Sequence, residues 1–494
     1  MGGHVQRRVA IGGSTMSFAE LGLDEYAASS AISLGRRVAA GELSPVQLAE
    51  CALAIATRAE PEINAYAALM PERALAVAAE REAEAREGRV RSVIHGVPVA
   101  AKDNMYIEGQ PCWKGSLTSS DAPAPVSSPM IARLENAGSV IIGRATTPEF
   151  GWKAVGNSPR TGVSRNPWDT GRNTGGSSAG SGAAVASGAV PIATGTDAGG
   201  SIRVPASFCG TVGLKPTLGA IPVWPGTVNE NLSHAGPLTR FVEDAAAVFT
   251  LTRGPDSRDP QSSFSVPTPA DPRTRRRVGV VREPFGVPPD PDVADAFDTA
   301  IGLLSAAGIA ELTEISLDRA APLDIFDALW VTGRGLGFAE VIRQHRDVMD
   351  PALVRLATLA TEYSLADFFA VMQRRRAFNE WAFALFDRWD LLLMPTMPMT
   401  AFDAEAEVPA GGQADAKLPW ATWTPYTYPF NISGQPAISL PVGLGPGRMP
   451  VGLQIVGPWS ADLTVLSFAA ACETVLAEMN LSRVARVRAS DTDR

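Results

Sequence analysis

Apolar residues recur at helical spacing through the early part of the chain. Within residues 24–90, the stretch GELSPVQLAECALAIATRAEP carries an apolar stripe made of Val46, Leu48, Cys51, Leu53, Ile55 and Ala56. Ser44 is suited to cap the amino end of this helix, and Pro45 is suited to its first position. Residues 74–87 are rich in Ala, Glu and Arg, which is typical of an exposed helix. The pattern predicts an N-terminal layer of helices.

Beyond residue 93 the pattern changes to strands that alternate with helices. HGVPVAAKDN, SVIIGR and PIATGT are short apolar runs of the strand type. SSPMIARLENAG is typical of a helix that ends at Gly138, and a helix of small residues is expected over about 180–188. This alternation predicts an α/β fold layered around a mixed sheet.

The middle of the chain differs from both flanks. Pro, Asp, Ser and Arg dominate residues 254–292, which favours a surface crossing or linker. Residues 293–385 are predicted to be largely helical, and strand-type runs return in DLLLMP, AISLPVGL and VGLQIVG. We expect one domain over residues 24–485, with the helical segment inserted in it. Residues 1–23, which include Met16 as a candidate natural start, are expected to form a disordered leader, and 486–494 a flexible tail.

Composition narrows the class of protein. Of the 494 residues, 45% are apolar and 19% are charged, which is an ordinary globular balance. The net charge of −9 argues against nucleic acid as the main partner. The four cysteines form no C-x-x-C pair, which indicates a reducing compartment, and no run of about 18 apolar residues is present to span a membrane. We expect a cytoplasmic protein that acts on a small molecule, with a homodimer as the assembly considered.

Lys102 ends the apolar run GVPVAAK. Burial disfavours the charged form of a lysine and lowers its pKa, which is what a lysine base requires. The alternatives are an ion pair with Asp103 or a side chain that extends to solvent. Because neighbouring side chains on a strand point to opposite faces, Asp103 need not neutralise this lysine.

Two glycine-rich segments each present a serine. TGGSSAG contains Ser177, and TDAGGSIR contains Ser201. Glycine permits a close approach of the backbone, so the amides from Ala198 onward can converge on an oxyanion beside the hydroxyl that attacks. Tight turns held by an ion pair between Asp197 and Arg203 are the structural alternative, and we expect that pair in either case. With the upstream lysine, the segments predict a serine nucleophile activated by serine and lysine.

Other chemistries fit the sequence less well. Neither G-x-x-x-x-G-K-[ST] nor GxGxxG is matched, which disfavours a phosphate site. The histidines are His4, His95, His234 and His345, and none serves a G-x-S-x-G elbow, so a Ser-His-Asp triad is not expected. No H-E-x-x-H motif or carboxylate–histidine cluster indicates a catalytic metal. We therefore expect no metal and no cofactor.

The ordered motifs resemble those of the amidase signature family over nearly the whole chain. They are GELSPVQL, HGVPVAAKDN, GRATTPEFG, GGSSAGSGAAVASG, GTDAGGSIRVPASFCGTVGLKPT, GPLTRFVEDAA, NISGQPAISLPVG and PVGLQIVG. The resemblance implies a central mixed β-sheet covered by helices on both faces, and an amide hydrolase. By motif, Ser201 would be the nucleophile, Ser177 the bridging serine that usually follows a cis peptide, and Lys102 the base.

The resemblance also assigns the groups around these three residues. It implies that the oxyanion is bound by the backbone amides of Ala198, Gly199, Gly200 and Ser201. The supporting loop would comprise Gly176, Ser178, Thr196, Asp197 and Arg203. Ala179 stands where the family usually has glycine or serine, which affects the expected shape of the loop rather than the two serines.

The substrate is predicted only by class. Residues 320–385 and 394–430 are expected to line the mouth of a pocket, and each aromatic there is also suited to the core. The candidate pocket residues are Phe326, Trp330, Met394, Trp423 and Tyr428. Such a cleft suits a small to medium hydrophobic or aryl amide, with esters or carbamates as side substrates. The alternatives are the glutaminase subunit of a tRNA-dependent amidotransferase, which the resemblance includes, and a non-catalytic binding protein on the same scaffold.

Overall fold

The computed structural model describes residues 18–264, 266, 268–269, 276–477 and 484–485. The expected leader, up to residue 17, and the expected tail at 486–494 lie outside the described residues. The same is true of His4 and Met16.

Fifteen α-helices occur in the described ranges. They are α1 Leu23–Ala28, α2 Ala31–Ala39, α3 Pro45–Ile63, α4 Pro71–Arg86, α5 Pro129–Asn136, α6 Ala179–Ala186, α7 Arg203–Cys209, α8 Val242–Thr252, α9 Pro291–Ala306, α10 Leu323–Gly337, α11 Ala339–His345, α12 Pro351–Ala360, α13 Leu365–Arg388, α14 Pro429–Ile432 and α15 Asp462–Leu476. None of these described helices combines the length and apolar composition that crossing a bilayer requires.

The strands of the same ranges form one large sheet and two short hairpins. They are β1 Tyr66–Leu69, β2 Pro98–Lys102, β3 Val140–Ala145, β4 Asn157–Ser158, β5 Gly162–Val163, β6 Arg165–Asn166, β7 Asp169–Asn173, β8 Ile192–Asp197, β9 Val212–Lys215, β10 His234–Thr239, β11 Arg277–Val280, β12 Glu311–Glu314, β13 Leu391–Pro395, β14 Ala437–Leu444 and β15 Pro450–Val456. β4 pairs with β5, and β6 with β7.

The large sheet has 11 strands in the order β1-β3-β2-β8-β10-β9-β14-β15-β13-β11-β12. β2 is parallel to β3 and β8, and β11 is parallel to β12 and β13, whereas the other neighbours are antiparallel. Helices pack around this mixed sheet, as the sequence predicts. One apolar cluster joins the sheet to the N-terminal helices, and a second joins α10, α12 and α13 to residues 418–432.

Local sequence signals explain many of the elements. Ser44 Oγ accepts from the amides of Val46 and Gln47 at 3.0 and 3.3 Å, and Pro45 is the first residue of α3, so the predicted cap is confirmed. The chain leaves α3 through Asn64, which adopts a left-handed conformation (φ 46°). The short strand β1 follows, and it interrupts the layer that was predicted to be helical.

The predicted linker is wrong in one stretch. β11 lies inside residues 254–292, yet it is inserted between β13 and β12 in the large sheet. Val278 and Val280 are buried there. The strand is only four residues long and follows a run of arginines, so its apolar signal is weak beside the charge around it.

Candidate active site

The candidate site lies where two parallel strands end. Lys102 is the last residue of β2, and Asp197 is the last residue of β8. Because β2 and β8 are parallel neighbours, their carboxyl ends meet at the same edge of the sheet. The amide of Lys102 donates to Thr194 Oγ1 of β8 at 3.0 Å, which fixes the end of β2. Ser177 and Ser201 lie in the segments that lead into α6 and α7.

Hydroxyl groups surround the amine of Lys102. Nζ lies 2.8 Å from Ser177 Oγ, 3.1 Å from Ser178 Oγ and 2.9 Å from Thr196 Oγ1. Thr196 Oγ1 also accepts from Asn104 Nδ2 at 2.9 Å. The structure therefore brings the predicted lysine into direct contact with the predicted bridging serine.

The surroundings of Lys102 favour its neutral form. Its side chain is fully enclosed, and burial lowers the pKa of this amine well below its ordinary value. Asp197 opposes the shift, and the positive charge of Arg334 adds to it. Asp103, the alternative partner, faces Arg144 instead, with 3.9 Å between Oδ1 and Nη1. A buried neutral amine of this kind can accept a proton.

The segment before α6 is closely packed. The peptide bond between Gly176 and Ser177 is cis. A Cβ atom on Gly176 would lie 2.6 Å from Val155 O, so only glycine fits there. The amide of Ser178 donates to the carbonyl of Ser201 at 3.1 Å, which ties the two serine segments together. Ser201 itself is 7% exposed, and its hydroxyl has no hydrogen-bond partner within the described residues.

Asp197 fixes the loop that carries Ser201. Its Oδ1 accepts from the amide of Gly200 at 2.7 Å and its Oδ2 from that of Ile202 at 3.2 Å. The guanidinium of Arg203 donates to both oxygens, at 3.1 and 3.0 Å, so the expected ion pair is confirmed. Burial acts to raise the pKa of Asp197, but Arg203 outweighs it and the pKa is lowered well below its ordinary value.

The amides of this loop fall into two groups. That of Gly200 is bound by Asp197, as described above. Those of Ala198, Gly199 and Ser201 have no acceptor within the part of the chain that the structure describes. Thr427 Oγ1 donates to Gly199 O at 2.8 Å and so orients that peptide. Three of the four predicted oxyanion donors are therefore available to a ligand, and the fourth is engaged in this structure.

Aromatic side chains lie against the same loop. A Cβ atom on Gly199 would lie 2.7 Å from Phe326 Cζ and 3.1 Å from Trp420 Cη2. Phe326 stacks on Tyr428 and on Trp330, with ring centroids 4.7 and 5.3 Å apart. The structure thus gathers three of the five predicted pocket residues beside the loop, together with Trp420.

The other two predicted pocket residues lie in different surroundings. Met394 is enclosed within β13, where it is paired with Gln454 of β15. Trp423 packs against Phe208 of α7 and against Phe402, at centroid distances of 6.0 and 5.1 Å. These two side chains are core residues apart from the aromatic group at Gly199.

Two amide side chains that the sequence reasoning passed over complete the clamp on Asp197. Asn431 Nδ2 donates to Asp197 Oδ1 at 2.8 Å, and its Oδ1 accepts from Arg203 at 2.6 Å. Gln454 Oε1 accepts from the same guanidinium at 2.8 Å. Both residues lie inside the motifs NISGQPAISLPVG and PVGLQIVG. A polar residue in an otherwise apolar motif was the signal that pointed to them.

Comparison with known proteins agrees with this arrangement. The family model described as Amidase matches residues 47–466, a span that holds Lys102, Ser177, Ser201 and Asn431. The chain belongs to the amidase signature family. One relative of this amidase is a Glutamyl-tRNA(Gln) amidotransferase subunit from Symbiobacterium thermophilum. It is 33% identical over 486 residues, which cover 90% of this chain and 96% of the relative.

Solved structures confirm the amidase signature fold. A 6-aminohexanoate cyclic dimer hydrolase complexed with substrate superposes with a TM-score of 0.84 at 28% identity, covering 93% of this chain and 99% of the other. A bacterial aryl acylamidase of the amidase signature family gives a TM-score of 0.81 at 26% identity, covering 91% and 96%. The names of these proteins differ in substrate, so the family alone leaves the substrate of this amidase open.

Proposed function

We propose that this amidase hydrolyses a carboxylic amide to an acid and an amine or ammonia through an acyl-Ser201 intermediate. The observation that carries the proposal is the 2.8 Å contact between the buried amine of Lys102 and Ser177 Oγ. A lysine held neutral at this distance is a base for a hydroxyl. The hydrogen bond between Ser178 and Ser201 supports the second half of the relay, since it holds the two serine segments together.

The proposed reaction moves one proton along the two serines. Neutral Lys102 takes the proton of Ser177, which takes that of Ser201, while Ser201 Oγ bonds to the amide carbon. The carbonyl oxygen becomes an oxyanion that the free amides of the loop stabilise. The relay returns the proton to the nitrogen of the leaving amine as the C–N bond breaks. Water then attacks the ester carbon and releases the acid and Ser201.

The aromatic group beside the oxyanion loop supports a hydrophobic or aryl amide of small to medium size. Phe326 and Trp420 contact the loop at Gly199, and Trp330 and Tyr428 extend this surface. Flat aromatic faces of this kind bind aryl and alkyl groups through burial of apolar area. Esters and carbamates, which present a similar carbonyl, are proposed as side substrates.

A hydrolysis screen tests the proposal. Purified protein is assayed on aliphatic, aryl and peptide-like amides, and on esters and carbamates, next to its S201A and S305A variants. Ser305 is exposed on α9, so S305A is the matched control. We expect turnover that S201A abolishes and S305A retains, and labelling of Ser201 by a fluorophosphonate. A folded S201A with the rate of the wild type would refute the assignment of the nucleophile.

A second candidate function is the glutaminase subunit of a tRNA-dependent amidotransferase. The name of the Symbiobacterium relative favours it. Affinity purification from the native cell, followed by a glutaminase assay with and without the captured partners, distinguishes the two. Partner subunits that switch on glutamine hydrolysis would favour the second candidate. A non-catalytic binding protein on this scaffold would show neither turnover nor labelling.

A further inference from the structure

Arg334 is a buried guanidinium for which the described chain provides little compensation. The residue lies on α10 and is only 6% exposed. Its Nη1 donates to Phe150 O at 2.9 Å, and its Nε is enclosed without an acceptor. Within the described residues Nη2 has no acceptor either, and no carboxylate pairs with the charge. Burial lowers the pKa of this group to about 10.

Two other buried arginines show how this fold satisfies a guanidinium that serves structure. Arg203 has a carboxylate and three further oxygen acceptors. Arg375 on α13 donates to Ile432 O at 3.2 and 3.0 Å and to Asn231 O at 2.8 Å. Leaving a buried charge without such partners costs several kcal/mol. Arg334 therefore has binding capacity that the chain leaves unused.

The face of α10 holds Arg334 rigidly. Trp330, Arg334 and Phe338 follow one another at four-residue spacing, so they share one side of the helix. The guanidinium carbon lies 4.7 Å from the centroid of Trp330 and 5.7 Å from that of Phe338. Stacking of this kind fixes the plane of the guanidinium and leaves its N–H edge to bind an acceptor.

This group is a close neighbour of the candidate active site. Its acceptor, Phe150 O, precedes Gly151, on which a Cβ atom would lie 3.1 Å from Ser177 Oγ. Its charge is also felt by the amine of Lys102. Trp330, on which it stacks, belongs to the aromatic surface beside the oxyanion loop.

We propose that Arg334 binds a carboxylate carried by the substrate, so that this amidase acts on amides that bear an anionic group in addition to the bond that is cleaved. The inference rests on the proposed function and narrows its substrate class. A guanidinium presents parallel N–H groups that match the two oxygens of a carboxylate. The ligand then supplies the partner that the chain lacks, and the aromatic surface packs against the apolar body between carboxylate and amide.

Paired substrates test this inference. Succinamate, glutaramate and adipamate are compared with butyramide, pentanamide and hexanamide, and ammonia release gives kcat/KM for each member of a pair. In the wild type we expect the carboxylate member to be favoured at one chain length or more. R334M should lower that ratio about 10- to 100-fold, mainly through KM, because a charge-assisted hydrogen bond is lost. R334K, which keeps the charge without the fork, should fall between them.

Arg343 provides the matched control, because it is exposed on α11 and pairs with Glu340. R343M should leave the ratio unchanged. If R334M and R334K lower kcat/KM equally for both members of every pair, Arg334 only holds Phe150 and the inference is refuted. It is equally refuted if the wild type favours the neutral member at every length.

A binding measurement separates this inference from the proposed function. Succinate, glutarate and adipate are titrated calorimetrically into the wild type, R334K, R334M and R343M, and no turnover is needed. We expect at least one acid to bind and R334M to weaken its Kd about 10- to 100-fold. Tight binding without amide turnover would refute hydrolysis and support the carboxylate site. Binding that is absent, or equal in wild type and R334 variants, would refute the carboxylate site.

Discussion

Replacement of Asp197 by asparagine tests whether the loop that carries Ser201 is held by charge. The carboxylate accepts from five N–H groups, which belong to Gly200, Ile202, Arg203 (two) and Asn431. In D197N one oxygen becomes an NH₂ group that faces donors, so at least two of these hydrogen bonds are lost. The guanidinium of Arg203 also loses its counter-charge while it stays fully buried.

The expected magnitude follows from this loss. Removal of one partner of a buried ion pair costs about 3–5 kcal/mol, because the remaining charge is left uncompensated. D324N is the matched control, since Asp324 makes an ion pair with Arg374 in which the two side chains are 62% and 51% exposed. That change should alter the free energy of unfolding by less than about 0.5 kcal/mol. Equilibrium urea unfolding, followed by tryptophan fluorescence, measures both.

The pH dependence gives an independent check. Because the pKa of Asp197 is lowered in the folded protein, its contribution is present above the unfolded pKa of about 4 and is lost as pH falls toward the folded value. The stability difference between wild type and D197N should therefore shrink below about pH 4. A loss under about 1 kcal/mol at neutral pH, or a difference that grows in acid, would refute the role given to this carboxylate.

Three further predictions concern the site and the fold. The rate constant kcat should rise with pH through the lowered pKa of Lys102, because only the neutral amine accepts a proton, and K102M should lose about 10²–10⁴-fold in kcat together with that pH dependence; a flat wild-type profile would contradict the relay. G199A should reduce kcat more than it alters the melting temperature, because its Cβ would lie 2.7 Å from Phe326 Cζ and shift an oxyanion donor; unchanged kinetics would show that this amide does not bind the oxyanion. S44A should destabilise the protein by about 1 kcal/mol in urea unfolding through loss of the cap on the Val46 amide, and no change would remove Ser44 as a cap.

Much of the central fold was readable because its signals are local. The apolar runs that form β2, β3, β8, β13, β14 and β15 are short and bounded by turn residues, so their type follows from length and composition. β1 and β11 were missed because each has only four residues, and their pairing with distant strands stabilises them. Such non-local pairing leaves little trace in local sequence.

The same contrast holds for the candidate site. Lys102 and the two glycine-rich segments were found because each shows a residue type that is unusual in its setting. Arg334, Thr427 and Asn431 were not, because an arginine, a threonine or an asparagine is ordinary in a helix or loop until the tertiary structure shows what it contacts. Among the predicted pocket aromatics, only tertiary packing separates Trp330, beside the loop, from Trp423, behind α7.

The two faces of the candidate site come from separate parts of the chain, and this has a practical consequence for protein engineering. The groups proposed to react are supplied by β2 and the segments before α6 and α7, whereas the aromatic surface comes from α10 and residues 420–428. A mutant library confined to the exposed turns and inner face of α10 would vary recognition while leaving the Asp197 clamp unmutated. Exchange of the later segment is harder, because Thr427 and Asn431 would have to be retained in every chimera.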